Sequence, residues 1–226
     1  MMFKRTLTQA DIFLIAANLL PVAGVWFFGW DPKEVFIVYC LETIIIGVFN
    51  LLKMAIVTIY KKTDTWYNGE ATARVSGLFF MFFFLVHYGM FVAIQMGLFF
   101  GVSGIGDQYH IGFFNFFYKW PQLIGRDAYI MIGAFVLSYG YKTLTEFVLN
   151  GQYKNVSLTV LMFQPYMRIF VQQFTVIIGS MFLVFGAGKL FILIFALVKI
   201  GFEVYVNFER TLDKAMAEMK NKPGKE

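Results

Sequence analysis

Glu42, Asn50, His87, Gln95, Arg168, Gln172, Gln173 and Lys199 stand inside stretches that are otherwise apolar. An ionisable group in hydrocarbon costs roughly 2.5–3.5 kcal/mol on insertion scales, so it faces the interior of a helix bundle and has a partner or a task. These residue types allow three tasks. A guanidinium among amides, Arg168 near Gln172 and Gln173, is a contact for an anion. A carboxyl and an imidazole, Glu42 and His87, can pass protons and act as general acid and base. A buried Glu–Arg pair braced by Asn and Gln can also hold helices in register with no ligand involved.

Six long apolar segments must position these residues: about Thr8–Trp30, Asp31–Tyr60, Arg74–Gly101, Arg126–Val148, Thr159–Phe185 and Lys189–Arg210. Each exceeds the roughly 20 residues that cross ~30 Å of hydrocarbon. The first opens on Thr8-Gln9-Ala10-Asp11, a capping box in which each end residue satisfies a free backbone donor. Pro21 is expected to kink it. The second opens on Asp31-Pro32-Lys33-Glu34, which supplies an N-cap, a first-turn proline and a first-turn acid. The run Met1–Trp30 has no convincing small-x-small cleavage site before Asp31 and is read as a spanning helix rather than a signal peptide.

Depth follows from a rise of about 1.5 Å per residue. Glu42 lies roughly 12 Å below the outer end of its segment, and His87 roughly 20 Å above the inner end of its own. Gln172, Gln173 and Lys199 fall near the same level, with Arg168 about one turn closer to the cytoplasm. Steps of three and four put Tyr39, Glu42, Ile46, Asn50 and Lys53 on one face, Gln164, Arg168, Gln172, Thr175 and Gly179 on another, and His87, Phe91 and Gln95 on a third. Lys142–Glu146 and Lys199–Glu203 are i,i+4 pairs expected to neutralise themselves. Glu42 and Arg168 are then the unmatched acid and base, each expected to partner the other.

Charge sets an orientation. With the N-terminus inside, Lys4, Arg5, Lys61, Lys62, Arg74, Lys154, Arg210, Lys214, Lys220, Lys222 and Lys225 are cytoplasmic, whereas only Lys33, Lys119, Arg126 and Lys189 lie outside. That is a positive-inside bias with both termini cytoplasmic and an even number of spans. The outer loop, Val102 to Gly125, is crowded with aromatic residues from His110 to Pro121 and is expected to lie as an interfacial segment. The alternative is a lid over a pocket between the spans. Residues 1–210 form one transmembrane domain on this reading, and 211–226 a short charged cytoplasmic tail.

Composition excludes several classes. The chain of 226 residues is 59% hydrophobic and 15% charged, far below the charge of a soluble domain, and its mean hydropathy is +0.66. The net charge of +5 forms no basic patch on a soluble face, so no nucleic-acid partner is expected. Cys40 is the single cysteine, which removes internal disulfides and Cys-based metal spacing. Gly101-Val102-Ser103-Gly104 matches the GxSG of rhomboid intramembrane proteases, but no histidine follows His110 to complete a dyad. Gly97-Leu98-Phe99-Phe100-Gly101 is a GxxxG, expected as a close helix contact.

Asn18-Leu19-Leu20-Pro21, Phe28-Gly29-Trp30-Asp31, Tyr39-Cys40-Leu41-Glu42 with Gly47 and Asn50, His87-Tyr88-Gly89-Met90-Phe91 and Pro165-Tyr166-Met167-Arg168-Ile169 form a pattern across most of the chain. It resembles the prokaryotic polytopic membrane proteins catalogued as domain of unknown function 6498. The resemblance implies an all-α transmembrane bundle in the cytoplasmic (inner) membrane and brings no activity with it. In that family's pattern histidines often stand where this chain has Gln95, Tyr139 and Gln173. The resemblance therefore implies that a histidine-rich metal or haem site in relatives is lost or altered here, and no metal is expected.

The expected protein is thus a six-span bundle with a central polar pocket. Glu42, His87, Arg168, Gln172, Gln173, Asn50, Gln95 and Lys199 are its ligand-binding candidates. A small polar or anionic ligand is bound or passed there, with Arg168 as the anion contact and Glu42 and His87 as proton-linked partners. Two alternatives stand beside this. One is a non-catalytic accessory subunit or homo-oligomer packing through its Phe-rich surface, beyond the lipid bilayer that any such chain contacts. The other is an intramembrane enzyme using Glu42 and His87 as acid and base, with no nucleophile to name and no cofactor specified.

Overall fold

The computed structural model describes residues 7–68, 71–111 and 113–201. Helices dominate: α1 (Gln9–Phe27), α2 (Pro32–Lys61), α3 (Gly77–Ser103), two short helices α4 (Ile105–Tyr109) and α5 (Phe113–Lys119), α6 (Arg126–Lys142), α7 (Leu158–Val184) and α8 (Gly188–Ile200). The expectation of an all-α chain needs one correction. Thr63–Asn68 (β1) and Ala71–Ser76 (β2) pair antiparallel as a hairpin between α2 and α3, with Trp66 opposite Ala73. Segment three therefore starts at Gly77 rather than Arg74.

Local signals set the ends. Thr8 accepts from the Asp11 amide at 3.2 Å and donates its own amide to the Asp11 carboxylate at 3.0 Å, so the capping box forms. Asp31 accepts from the Lys33 amide at 2.8 Å, with Pro32 as the first helical residue. Pro21 lies within α1, which stays helical through to Phe27. The hairpin supports the start of α7: Asp64 accepts from the Leu158 amide at 2.6 Å, and the Thr65 carbonyl accepts from Thr159 at 2.9 Å. Trp66 seats the hairpin on α3, 5.5–5.7 Å from the rings of Phe79, Phe80 and Phe83.

α2 is the central helix. It packs against α3, α6, α7 and α8, and 67% of its most apolar stretch is buried, against 28% for α3. The difference assigns α3 to the periphery, where Phe82, Leu85, Val86 and Met90 point outward. Close approaches to α2 and α7 use glycine. A Cβ on Gly47 would lie 2.6 Å from the Tyr88 ring, and one on Gly179 would overlap Phe36 and Phe191. The GxxxG glycines, Gly97 and Gly101, do not make the helix contact expected of them: nothing stands within 4 Å of a Cβ at either.

Three helices, α1, α2 and α3, are long and apolar enough to cross a membrane among the described residues, rather than six. The reason is specific in two of the other segments. After 17 residues α6 gives way to a π-helical stretch, Thr143–Leu149. α8 is described over 13 residues, and the remainder of its segment, to Arg210, lies outside the described residues, as does the tail 211–226. α7 is 27 residues long and carries Arg168, Gln172 and Gln173 in its middle.

The aromatic outer loop folds as α4, α5 and a 3-10 turn, Trp120–Leu123. Phe116 is fully buried against Phe100 at the end of α3, with ring centroids 5.1 Å apart. The Gly125 amide donates to Glu34 at 2.9 Å, which ties the start of α6 to the start of α2.

Candidate functional site

Glu42 comes from the face of α2 that the stripe places inward, and it is completely buried. The Tyr139 hydroxyl of α6 donates to one carboxylate oxygen at 2.8 Å. The Lys199 ammonium of α8 makes an ion pair and hydrogen bond with the other. Lys199 is itself buried, and its Nζ lies 4.6 Å from the centre of the Phe135 ring and 5.1 Å from that of Tyr39. Ring faces carry negative potential, so they add to the carboxylate in stabilising an ammonium out of water. Lys199 was expected to pair with Glu203, which lies outside the described residues. The acid that it meets belongs to another helix.

Amides brace this pair. Gln172 on α7 donates to the Tyr39 carbonyl of α2. Gln95 on α3 accepts from Thr43 at 3.2 Å, one residue beyond Glu42. Tyr88 lies over Gly47 and donates to the Thr43 carbonyl at 2.8 Å.

A second polar region lies about two turns along α2. A cavity of about 50 Å³ opens between α2, α6 with its π-helical continuation, and α7. That is room for about three to five waters, at ~10–15 Å³ each, or for one compact ion. Asn50 and Lys53 line it from α2, Tyr139 and Lys142 from α6, Thr143 and Glu146 from the π stretch, and Gln164 and Arg168 from α7. Three cations thus face one carboxylate. Asp11 of α1 stands behind Lys142, 3.9 Å from its Nζ. Tyr139 belongs to both regions, since it lines the cavity and binds Glu42.

The chain's residues 1–223 match the profile of a family of unknown function, DUF6498. The chain belongs to this family. No curated protein and no solved structure matches it. Two of the sequence segments quoted above reach these regions: Tyr39 and Glu42 stand at the ion pair, and Pro165 and Arg168 stand on the cavity wall. Of the positions where histidines were expected in relatives, Tyr139 binds Glu42, Gln95 binds Thr43, and Gln173 is half-buried beside Gln172. Among the described residues no group of three or more His, Cys, Asp or Glu is placed to hold a metal.

The eight sequence candidates therefore divide. Glu42 and Lys199 form the ion pair, with Gln172 and Gln95 close around it. Arg168 and Asn50 line the cavity, where Asn50 also donates to the Leu161 carbonyl at 2.9 Å and so joins α2 to α7. His87 is on neither wall. Its Nδ1 is 2.7 Å from the Tyr166 hydroxyl, and its ring packs between Phe83 and Phe91. Sequence reasoning missed Tyr139, and it set aside Lys142 and Glu146 as a self-neutralised pair. They lie 3.8 Å apart, and both line the cavity. Their signal was present in the spacing Tyr139, Lys142, Thr143, Glu146, which places one face of a helix opposite the Asn50–Lys53 stripe.

Proposed function

We propose that this DUF6498 protein is a six-span protein of the prokaryotic cytoplasmic membrane, with both termini inside, that binds or passes a small anion through its α2–α6–α7 cavity. The observation that carries the reading is the cavity wall, in which Lys53, Lys142 and Arg168 from three helical segments face one carboxylate, Glu146. Cations that converge from three helical segments on one small cavity raise the local concentration of anions there. Arg168 is the directional contact, because its planar fork engages two oxygens at once. Gln164 adds a neutral amide to the same wall.

The π-helical stretch supports this reading. π segments are rare and gather at functional sites, and this one contributes Thr143, Glu146 and Phe147 to the cavity. Glu42 and Lys199 enter through Tyr139 as the dry floor of the site. The remaining three spans would be α6 with its π continuation, α7, and α8 with the residues that follow it.

Thermal unfolding of the detergent-purified protein, titrated with chloride, acetate, phosphate and sulfate at constant ionic strength, tests the reading. A bound anion at 100 times its Kd raises stability by about 2.7 kcal/mol. At least one small anion should do so in the native chain and not in Arg168→Gln. If no anion shifts the transition, or if Arg168→Gln and Lys142→Gln respond as the native chain does, the reading fails. Labelling Gly69→Cys and Gln108→Cys in intact cells tests the orientation: only the second should react from outside.

A further inference from the structure

We propose that the anion taken by the cavity is an oxyanion that keeps a proton of its own, with hydrogen phosphate as its simplest form. This rests on the anion reading above and names the chemistry of the ligand. The carrying observation is Glu146. A carboxylate in the wall of an anion site repels every anion equally unless the anion can donate a hydrogen bond to it. Glu146 stands in that wall with Lys53, Lys142 and Arg168.

Its two oxygens are differently engaged. One accepts from the Thr8 hydroxyl at 3.2 Å. The other is 3.8 Å from the Lys142 ammonium, near enough for attraction and too far for a hydrogen bond. That oxygen keeps acceptor capacity on a residue that lines the cavity, and an O–H···O⁻ bond from a bound oxyanion is of the strong, charge-assisted kind.

The other walls fit the same ion. Cations arrive from α2, α6 and α7, so they can meet different oxygens of a tetrahedral ion, and the volume of about 50 Å³ suits one compact group. Thr143 adds a hydroxyl. Sulfate matches hydrogen phosphate in shape and charge but has no proton at neutral pH, so it meets Glu146 as bare repulsion. A site built around a substrate hydroxyl rejects the analogue that lacks it, by up to about 10⁴–10⁵ when fully buried. Glu146 is partly exposed, with 27% of its side chain accessible, and roughly 100-fold is expected here.

A phosphomonoester lipid headgroup carries the same proton as free phosphate, whereas a phosphodiester headgroup carries none. The test is therefore calorimetric titration of lipid-depleted protein with inorganic phosphate and with sulfate, at fixed ionic strength and pH 7. Short-chain phosphatidate and phosphatidylmethanol, a phosphodiester with no hydroxyl, then serve as competitors. Phosphate should bind about 100-fold more tightly than sulfate. Glu146→Gln keeps an acceptor for Thr8 and gains a donor, so it should weaken phosphate and tighten sulfate about 10-fold each, closing the gap. Competition by phosphatidate alone would support the same chemistry and assign the headgroup as its source. Competition by neither lipid would support it with free phosphate as the source. Equal binding of phosphate and sulfate, an unchanged ratio in Glu146→Gln, or competition by phosphatidylmethanol would overturn the inference while leaving an anion site in place. Binding of no anion at all would instead bring down the reading it rests on.

Discussion

Two charged regions meet at Tyr139 and differ in almost every other respect. Glu42 and Lys199 form a matched pair whose side chains are 0% and 6% exposed, ringed by Tyr39, Phe135 and Phe195. Across the Tyr139 hydroxyl, Lys142 and Glu146 are 18% and 27% exposed, and cations outnumber carboxylates in the wall. Burial explains the contrast. Removing a charge from water costs several kcal/mol per ion, so a dry region must be neutral and closely paired. A region with some access to water can hold excess charge, because the local dielectric screens it. A surplus is useless for stability and useful for attracting a counter-charge, whereas a matched pair fixes three helices and attracts nothing.

The sharpest way to break this contrast is to unbalance the dry pair. Lys199→Met removes the cation and leaves Glu42 buried, at an expected cost of about 3–5 kcal/mol. Adding Glu42→Gln should recover most of it, because neutral groups of similar shape need no counter-charge. Thermal unfolding of the native chain, both single variants and the double variant checks this. Additive losses would mean that the two groups are not a pair.

The wet region should respond in the opposite sense. Arg168→Gln should lower anion affinity about 10–100-fold, the value of a hydrogen bond to a charged group, about 1.5–3 kcal/mol. The unliganded protein should lose less than about 1 kcal/mol of stability, as a partly exposed ion pair is worth about that or less. Calorimetry and unfolding on the same preparation separate the two quantities. A large stability loss with unchanged affinity would make Arg168 a structural residue like Lys199.

Much of this arrangement was legible from spacing. Steps of three and four give α2 and α7 a polar face each, Asn50 and Lys53 on one and Gln164 and Arg168 on the other, and those four residues do share a cavity. The caps at Thr8 and Asp31 were read correctly because they are local. Partner choice was not legible. Lys199 has an acid four residues away in sequence, and the packing of α8 against α2 brings Glu42 to it from another helix. The π stretch leaves no mark in the residues Thr143–Leu149, yet it shapes the cavity wall. The hairpin did leave a mark: Thr63, Thr65, Thr72 and Val75 are β-formers, and Asn68-Gly69 is a hairpin-turn dipeptide. A short polar stretch between two apolar spans was read as a loop, which hid it.

Tyr139→Phe sharpens the boundary itself. The ring stays, and the hydroxyl that links the two regions goes. Glu42 keeps Lys199, so the cost is that of one hydrogen bond to a charged group, about 1.5–3 kcal/mol at most. If the regions communicate only through this hydroxyl, coupling between Glu42→Gln and anion affinity should vanish in the Tyr139→Phe background. A double-mutant cycle on the anion Kd measures it. Persistent coupling would show that the dry pair acts on the cavity by another route, with Arg168, on the cavity wall, the first residue to test.

The smallest effect is expected at His87, and it bears on the comparison by lying outside both regions. His87 has the residue type most often used for proton transfer, and its depth matches that of Glu42. The structure gives it a different setting. Its Nδ1 meets Tyr166, its ring lies 5.3 Å from those of Phe83 and Phe91, and neither His87 nor Tyr166 lines the cavity. His87→Phe keeps the stacking area and removes one half-buried hydrogen bond, so about 0.5–1.5 kcal/mol of stability should be lost. Anion affinity should not change. If His87→Phe lowers that affinity as far as Arg168→Gln does, then the functional region reaches from the cavity through Tyr166 to α3, and the line drawn at Tyr139 is in the wrong place.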